Sequence, residues 1–135
     1  MRQTTSMACA ALAAWAVFCG VAHAESGEFP NRPVRIVVPY SAGGTADVLP
    51  RIIGEKLSAM WGQPVIIENR PGAGGNIGAA LVAKAAPDGY TLVSTPPAPL
   101  VINQYLYKSL QFDPERFAPV AVLARVPNVL AVKND

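Results

Sequence analysis

From residue 34 onward, short apolar runs alternate with stretches in which apolar residues recur every three or four positions. Val34-Arg35-Ile36-Val37-Val38 is β-branched and apolar on both faces, the pattern of a strand buried inside a parallel sheet. Pro39 to Thr45 break that run, and Leu49, Ile52, Ile53, Leu57 and Met60 then fall at helical spacing. With Asp47 as N-cap, Pro50 occupies the third helical position, where its missing N–H costs nothing; this predicts a helix from Asp47 to Trp61-Gly62. The pattern then repeats. Pro64 to Ile67 reads as a strand, Glu68 to Gly75 as a glycine-rich loop, and Asn76 to Ala86 as a helix carrying Ile77, Leu81 and Ala85 on one stripe. Pro87-Asp88-Gly89 is a turn, and Tyr90 to Ser94 a third strand. Strand–helix–strand–helix–strand predicts an α/β fold, a mostly parallel sheet with flanking helices and right-handed crossovers. Thr95-Pro96-Pro97-Ala98-Pro99 is read as neither regular helix nor central strand. Leu100 to Leu106 reads as one or two helical turns, Phe112-Asp113-Pro114 as the start of a loop, and Val120–Leu123 and Asn128–Val132 as further strands.

Residues 1–24 have a different character. Arg2 precedes an apolar or small run from Ala8 to Val21, and Ala22-His23-Ala24 fits a small-x-small cleavage site. This predicts a secretory signal peptide, a mature chain starting at Glu25 and a periplasmic location. The apolar run is shorter than the roughly 20 residues that span a bilayer, against a membrane anchor. Bulky Phe18 before Cys19 argues against a lipoprotein. Removal of the leader takes with it His23, Cys9 and Cys19, the whole complement of His and Cys. What remains cannot form a Cys/His zinc site, a Ser-His-Asp or Cys-His nucleophile, or a disulfide. The acidic residues never reach metal-loop spacing. A formal net charge of +2 is too small for a nucleic-acid footprint, so no nucleic-acid partner is expected.

The chemistry left concentrates in two loops that join a strand's carboxyl end to a helix N-terminus, the edge at which open parallel sheets bind ligands. Gly43, Gly44, Gly72, Gly74 and Gly75 allow close backbone approach, and the helix N-termini offer N–H groups to a carboxylate or phosphate. Three readings stay open: tight turns alone, small-anion binding, and nucleotide binding. The last is disfavoured, because a G-x-G-x-x-G run from Gly72 needs glycine where Ile77 stands, and no Lys-Ser/Thr follows for a P-loop. Asp47 is a helix cap, or also orders a water or a ligand amine at the loop mouth. Glu68 and Arg70 read as a solvated pair rather than an acid–base couple, and Asp113 to Arg116 as a surface turn. The scattered aromatics, including Trp61, Tyr90 and Tyr105, fit core packing better than a stacking platform.

Three blocks, RPVRIVVPYSAGGTAD, GQPVIIENRPGAGGNIGAALVAKAAPDGYTL and INQYLY…FDPERFAPVAVLARVPNVLAV, resemble the Bug (TctC-like) family over most of 29–132. These are periplasmic solute-binding receptors of tripartite tricarboxylate transporters. The resemblance implies a two-lobed, Venus-flytrap-like protein of the periplasmic-binding-protein type II kind, of which residues 25–135 are an incomplete first lobe. It implies a small organic carboxylate as ligand, inner-membrane permease subunits of the transporter as partners, no cofactor, no metal and no enzymatic activity. It also implies a ligand site from Tyr40, Ser41, Ala42, Gly43, Gly44 and Asp47 in the first loop, with ordered water helping to hold the ligand. Gly72, Ala73, Gly74, Gly75 and Asn76 in the second loop, and Ser94 and Thr95 after the third strand, complete it. Two positions depart from the family pattern. Thr95 to Pro99 replaces a Ser/Thr/Gly-rich loop, which predicts a stiffer, donor-poor wall, and Pro50 stands where a small residue is usual. Family members also run to roughly twice this length or more, so the chain is expected to be part of a larger receptor. A degenerate remnant and a small interaction module offering an open sheet edge are the alternatives.

Overall fold

The computed structural model describes residues 28–127 and 130–132; the expected signal peptide and Asn128 lie outside them. Three strands, β1 (Val34–Val38), β2 (Val65–Asn69) and β3 (Thr91–Val93), form one sheet in the order β2-β1-β3. Both pairings are parallel, with Val34 opposite Val65, Val38 opposite Asn69 and Val37 opposite Val93. The central strand is the one that reads as apolar on both faces, and Val34, Ile36, Val37 and Val38 are all buried. The α/β reading from the sequence therefore stands.

Helix α1 (Thr45–Trp61) connects β1 to β2, and helix α2 (Asn76–Ala83) lies between β2 and β3. The first crossover steps to one side of β1 and the second to the other, so right-handed connections place the helices on opposite sheet faces. Gly54 of α1 lies against Val65 and Ile67, where an added Cβ would come within 3.2 Å of the Ile67 side chain. Ala79 and Ala80 of α2 are buried, and Gly78 lies so close to Pro39 that a Cβ would come within 2.7 Å. Gly62, at φ 63°, closes α1 by donating its N–H to the Ser58 carbonyl.

Several boundaries differ from expectation. Helix α1 starts at Thr45 with Gly44 as its cap, not at Asp47, and Pro50 lies inside the helix, fully buried. The Asp47 carboxylate does accept backbone N–H, but it reaches back from the first turn to Gly43. Strand β2 continues through Glu68 and Asn69 rather than yielding to a loop, because these residues pair with Val37 and Val38. Helix α2 ends at Ala83, short of Ala86, ahead of Pro87. A π-helical turn, Ala98–Ile102, follows the prolines and runs directly into α3 (Asn103–Leu106), so the Pro-rich segment is helical from Ala98. Val120–Leu123 is not a strand, nor are residues 130–132; Val120 is 80% exposed and Leu130 93%. A strand requires a paired neighbour, and none of the described residues pairs with these.

Candidate functional site

The carboxyl ends of all three strands open on one edge of the sheet. Arg70 donates its backbone N–H to Val38 (2.8 Å) and Ser94 to Val37 (2.9 Å), so the three following loops leave from adjacent points. The expected site residues are therefore set along that edge: Tyr40 to Gly44 after β1, Gly72 to Asn76 after β2, Ser94 and Thr95 after β3. The first two loops touch, with the Tyr40 hydroxyl donating to the Gly74 carbonyl at 3.4 Å. Ser94 continues the ladder, while Thr95 spends its hydroxyl on the neighbouring Pro96 carbonyl at 3.0 Å.

Asp47 anchors the first loop from below. It is 2% exposed, and its two oxygens take four donors. Oδ2 accepts from the Gly43 N–H and from Arg51 Nε, both at 2.9 Å. Oδ1 accepts from Asn69 Nδ2 at 2.8 Å and faces Arg51 Nη2 at 2.9 Å. Arg51 Nη2 also donates to Asn69 Oδ1 at 2.7 Å, and Asn69 Nδ2 to the Tyr40 carbonyl at 3.0 Å. The Arg51 hydrogen bond, then those from Gly43 and Asn69, holds the Asp47 carboxyl well below the usual carboxylate range. The same contact raises Arg51. With its acceptor sites engaged within the protein, Asp47 shapes the loop. Ser41, Ala42, Gly43 and Gly44 above it are exposed, and a Cβ at Gly43 or Gly44 would meet nothing within 4 Å.

The second loop is a run of left-handed backbone: Gly72 at φ 130°, Ala73 at 47°, Gly74 at 63° and Gly75 at 94°. Only glycine takes such angles freely, so Ala73 is held there by its surroundings. Asn103, buried at 3% exposure, donates from Nδ2 to the Gly74 carbonyl (3.1 Å) and to Asn76 Oδ1 (2.6 Å). Beside the loop, Ala73, Asn76, Tyr107 and Gln111 help to line a cavity of about 160 Å³. Glu68 is ion-paired with exposed Arg70 and, at 3.1 Å, with Arg35; Glu68 itself is largely covered, so the pair is less solvated than the sequence suggests.

Arg51, Asn69 and Asn103 are the residues that the sequence reading passed over. Arg51 carried a local signal, being one turn beyond Asp47 on a helix. Asn69 and Asn103 carried none, because their partners lie 18 to 29 residues away. Among the described residues no group of three or more His, Cys, Asp and Glu could hold a metal ion. No helix among them is long and apolar enough to cross a membrane.

An open parallel α/β layer with its polar backbone gathered at one edge is an arrangement that binds small ligands at that edge. The family model described as "Tripartite tricarboxylate transporter family receptor" (TctC) matches residues 49–135. The chain belongs to that family, whose members are solute-binding receptors rather than enzymes, and periplasmic. It is 41% identical over 114 residues to BugT of Bordetella pertussis, covering 82% of this chain and 35% of BugT. It is 43% identical over 108 residues to the UPF0065 protein in the tcbD-tcbE intergenic region of Pseudomonas sp. strain P51, covering 79% of this chain and 32% of that one. Among solved structures, R. palustris Rpa4515 with adipate is 42% identical with a TM-score of 0.63, over 65% of this chain and 29% of that one. A structure described as a periplasmic transporter is 39% identical with a TM-score of 0.62, over 64% of this chain and 29% of that one. The chain spans about a third of the length of the curated relatives it matches.

Proposed function

We propose that residues 25–135 form part of the first lobe of a two-lobed periplasmic receptor. The receptor binds a small organic carboxylate and delivers it to the inner-membrane permease of a tripartite tricarboxylate transporter, with residues 1–24 as the export signal. The observation that carries this reading is the meeting of two glycine-rich loops at the carboxyl edge of a parallel sheet, bridged from Tyr40 to Gly74. The exposed backbone of Ser41, Ala42 and Gly44 contacts the ligand carboxylate, with Gly72 to Asn76 and Ser94 and Thr95 beside it. A hydrogen bond from N–H to an ionised acceptor contributes about 1.5–3 kcal/mol, so a few suffice for useful affinity without a cationic side chain or a metal. Asp47 and Gly43 support that surface from within. The solved relative with adipate adds weight to a dicarboxylate, since the ligand class of a homologue at this identity is a reasonable first probe.

Calorimetric titration of the protein expressed from its own gene, with adipate, citrate and uncharged adipamide, tests the reading. Saturable binding of a carboxylate and none of adipamide is the expected result. No binding of either acid or of related acids up to millimolar concentration overturns it. The mature protein recovered from the periplasm should begin at Glu25, and an intact-mass measurement that retains residues 1–24 would refute the export signal.

A further inference from the structure

The segment after β3 acts on the second loop rather than lining an empty wall. Pro99 is fully buried, and a Cβ on Gly75 would lie 3.1 Å from its ring and 3.2 Å from the Tyr40 hydroxyl. About one turn on, Asn103 uses its amide nitrogen on two points of the loop, the Gly74 carbonyl and Asn76 Oδ1. A further turn on, the Tyr107 hydroxyl lies 2.9 Å from where a Gly74 Cβ would be. The chain from Pro99 to Tyr107 thus grips the loop at Gly74, Gly75 and Asn76.

We infer that Asn103 is a positioning residue for the ligand site: it sets the backbone of the Gly72–Asn76 loop by holding the Gly74 carbonyl and the Asn76 side chain inward. In this run of four positive-φ residues the glycines adopt their angles freely, but Ala73 at φ 47° persists only where its surroundings over-determine it. The buried amide of Asn103 supplies that constraint. With the Gly74 carbonyl turned toward Asn103, the neighbouring peptide groups keep one fixed orientation toward the sheet edge. This inference rests on the carboxylate-receptor reading for its functional consequence, but its structural part can be judged separately.

The test compares wild type, Asn103→Leu and Asn76→Ala, each expressed as the full protein from its own gene. Asn103→Leu keeps the branched outline, with somewhat more bulk, and removes both donors; Asn76→Ala removes one of the two bonds without adding bulk. Amide hydrogen exchange read by mass spectrometry should quicken about tenfold or more in peptides covering 70–80 for Asn103→Leu, and less for Asn76→Ala. Peptides covering β1 should be unchanged. Adipate binding should weaken about tenfold in Asn103→Leu, the loss expected for a displaced hydrogen-bonding surface. Unchanged exchange at 70–80, or an equal rise there and in β1, overturns the inference, the second because it marks a residue that only supports the fold. If Asn103→Leu does not fold, Asn76→Ala makes the same comparison. If wild type takes up no adipate, the ligand reading has failed on that probe, and the exchange contrast alone decides the role of Asn103.

Discussion

Asp47 shows how one side chain can be read correctly in chemistry and wrongly in position. An acid just before a helical repeat accepts backbone N–H whether it stands at the cap or in the first turn, and nothing local separates the two. The structure puts it in the first turn, facing Arg51 and Asn69. The consequence is a pH dependence with a definite sign. A carboxyl held below its unfolded value contributes stability that is fully present above about pH 4, the ordinary range for Asp, and is lost as pH falls toward the folded value. Chemical denaturation should therefore show constant stability from pH 7 to 5 for this group and a decline below about pH 4. Asp47→Asn should lower the melting temperature at pH 7, since an amide NH2 must then face other donors, and should flatten that decline. An equally steep acid decline in the variant would refute the assignment. Gly44 offers the complementary test. Its φ of −82° is open to any residue, and its added Cβ meets nothing within 4 Å. Gly44→Ala should cost under about 1 kcal/mol of stability, the usual penalty for alanine at a cap. Yet it should weaken carboxylate binding, because the methyl occupies the space proposed for the ligand. Unchanged affinity in titration calorimetry would move the ligand away from this loop.

Among elements, legibility follows how local the determining contacts are. Val34 to Val38 announced a central strand because apolar residues on both faces need no partner to be recognised. The end of β2 is not legible in the sequence, because Glu68 and Asn69 look like loop, and only their pairing with Val37 and Val38 makes them strand. Val120–Leu123 erred the other way, being strand-like in composition and unpaired among the described residues. The two loops are legible from their glycines alone, but what gives them shape, Asn69 and Asn103, is visible only in three dimensions. The contact between helix and sheet is testable with two glycines. A Cβ at Gly78 would come within 2.7 Å of Pro39 Cβ and 3.0 Å of the Arg70 carbonyl, neither of which can rotate away. Gly78→Ala should cost about 1–3 kcal/mol, as overpacking does. At Gly54 the nearest atom is the flexible end of Ile67 at 3.2 Å, and alanine gains roughly 1 kcal/mol of helix propensity over glycine. Gly54→Ala should thus be near neutral, and urea melts that rank the two the other way would contradict this account of α1 and α2.

At the scale of the whole molecule, the sheet among the described residues is three strands wide, with its outer strands paired on one side. Apolar surface is correspondingly left in water: Met60, Tyr105, Leu106, Val122, Leu130 and Val132 are all exposed among the described residues. So many large apolar side chains left in water are unusual for a protein that works alone, and they suit surfaces that other structure covers. A pocket that holds a small acid tightly also encloses 70–90% of it, whereas the loops here stand on an open edge. Both facts lead to one expectation for residues 25–135 produced by themselves. They should bind a hydrophobic dye such as ANS, unfold over a broad temperature range, aggregate at micromolar concentration and show no tight carboxylate binding. The protein from its own gene should differ on every count if the two-lobed reading is right, because the rest of the receptor would cover exposed apolar side chains and close over the loops. A sharp cooperative melt of a monomeric 25–135, with no dye binding, would mean that the exposed residues need no cover. The two-lobed arrangement would then lose its physical motive, and the open sheet edge would have to be explained by some other partner.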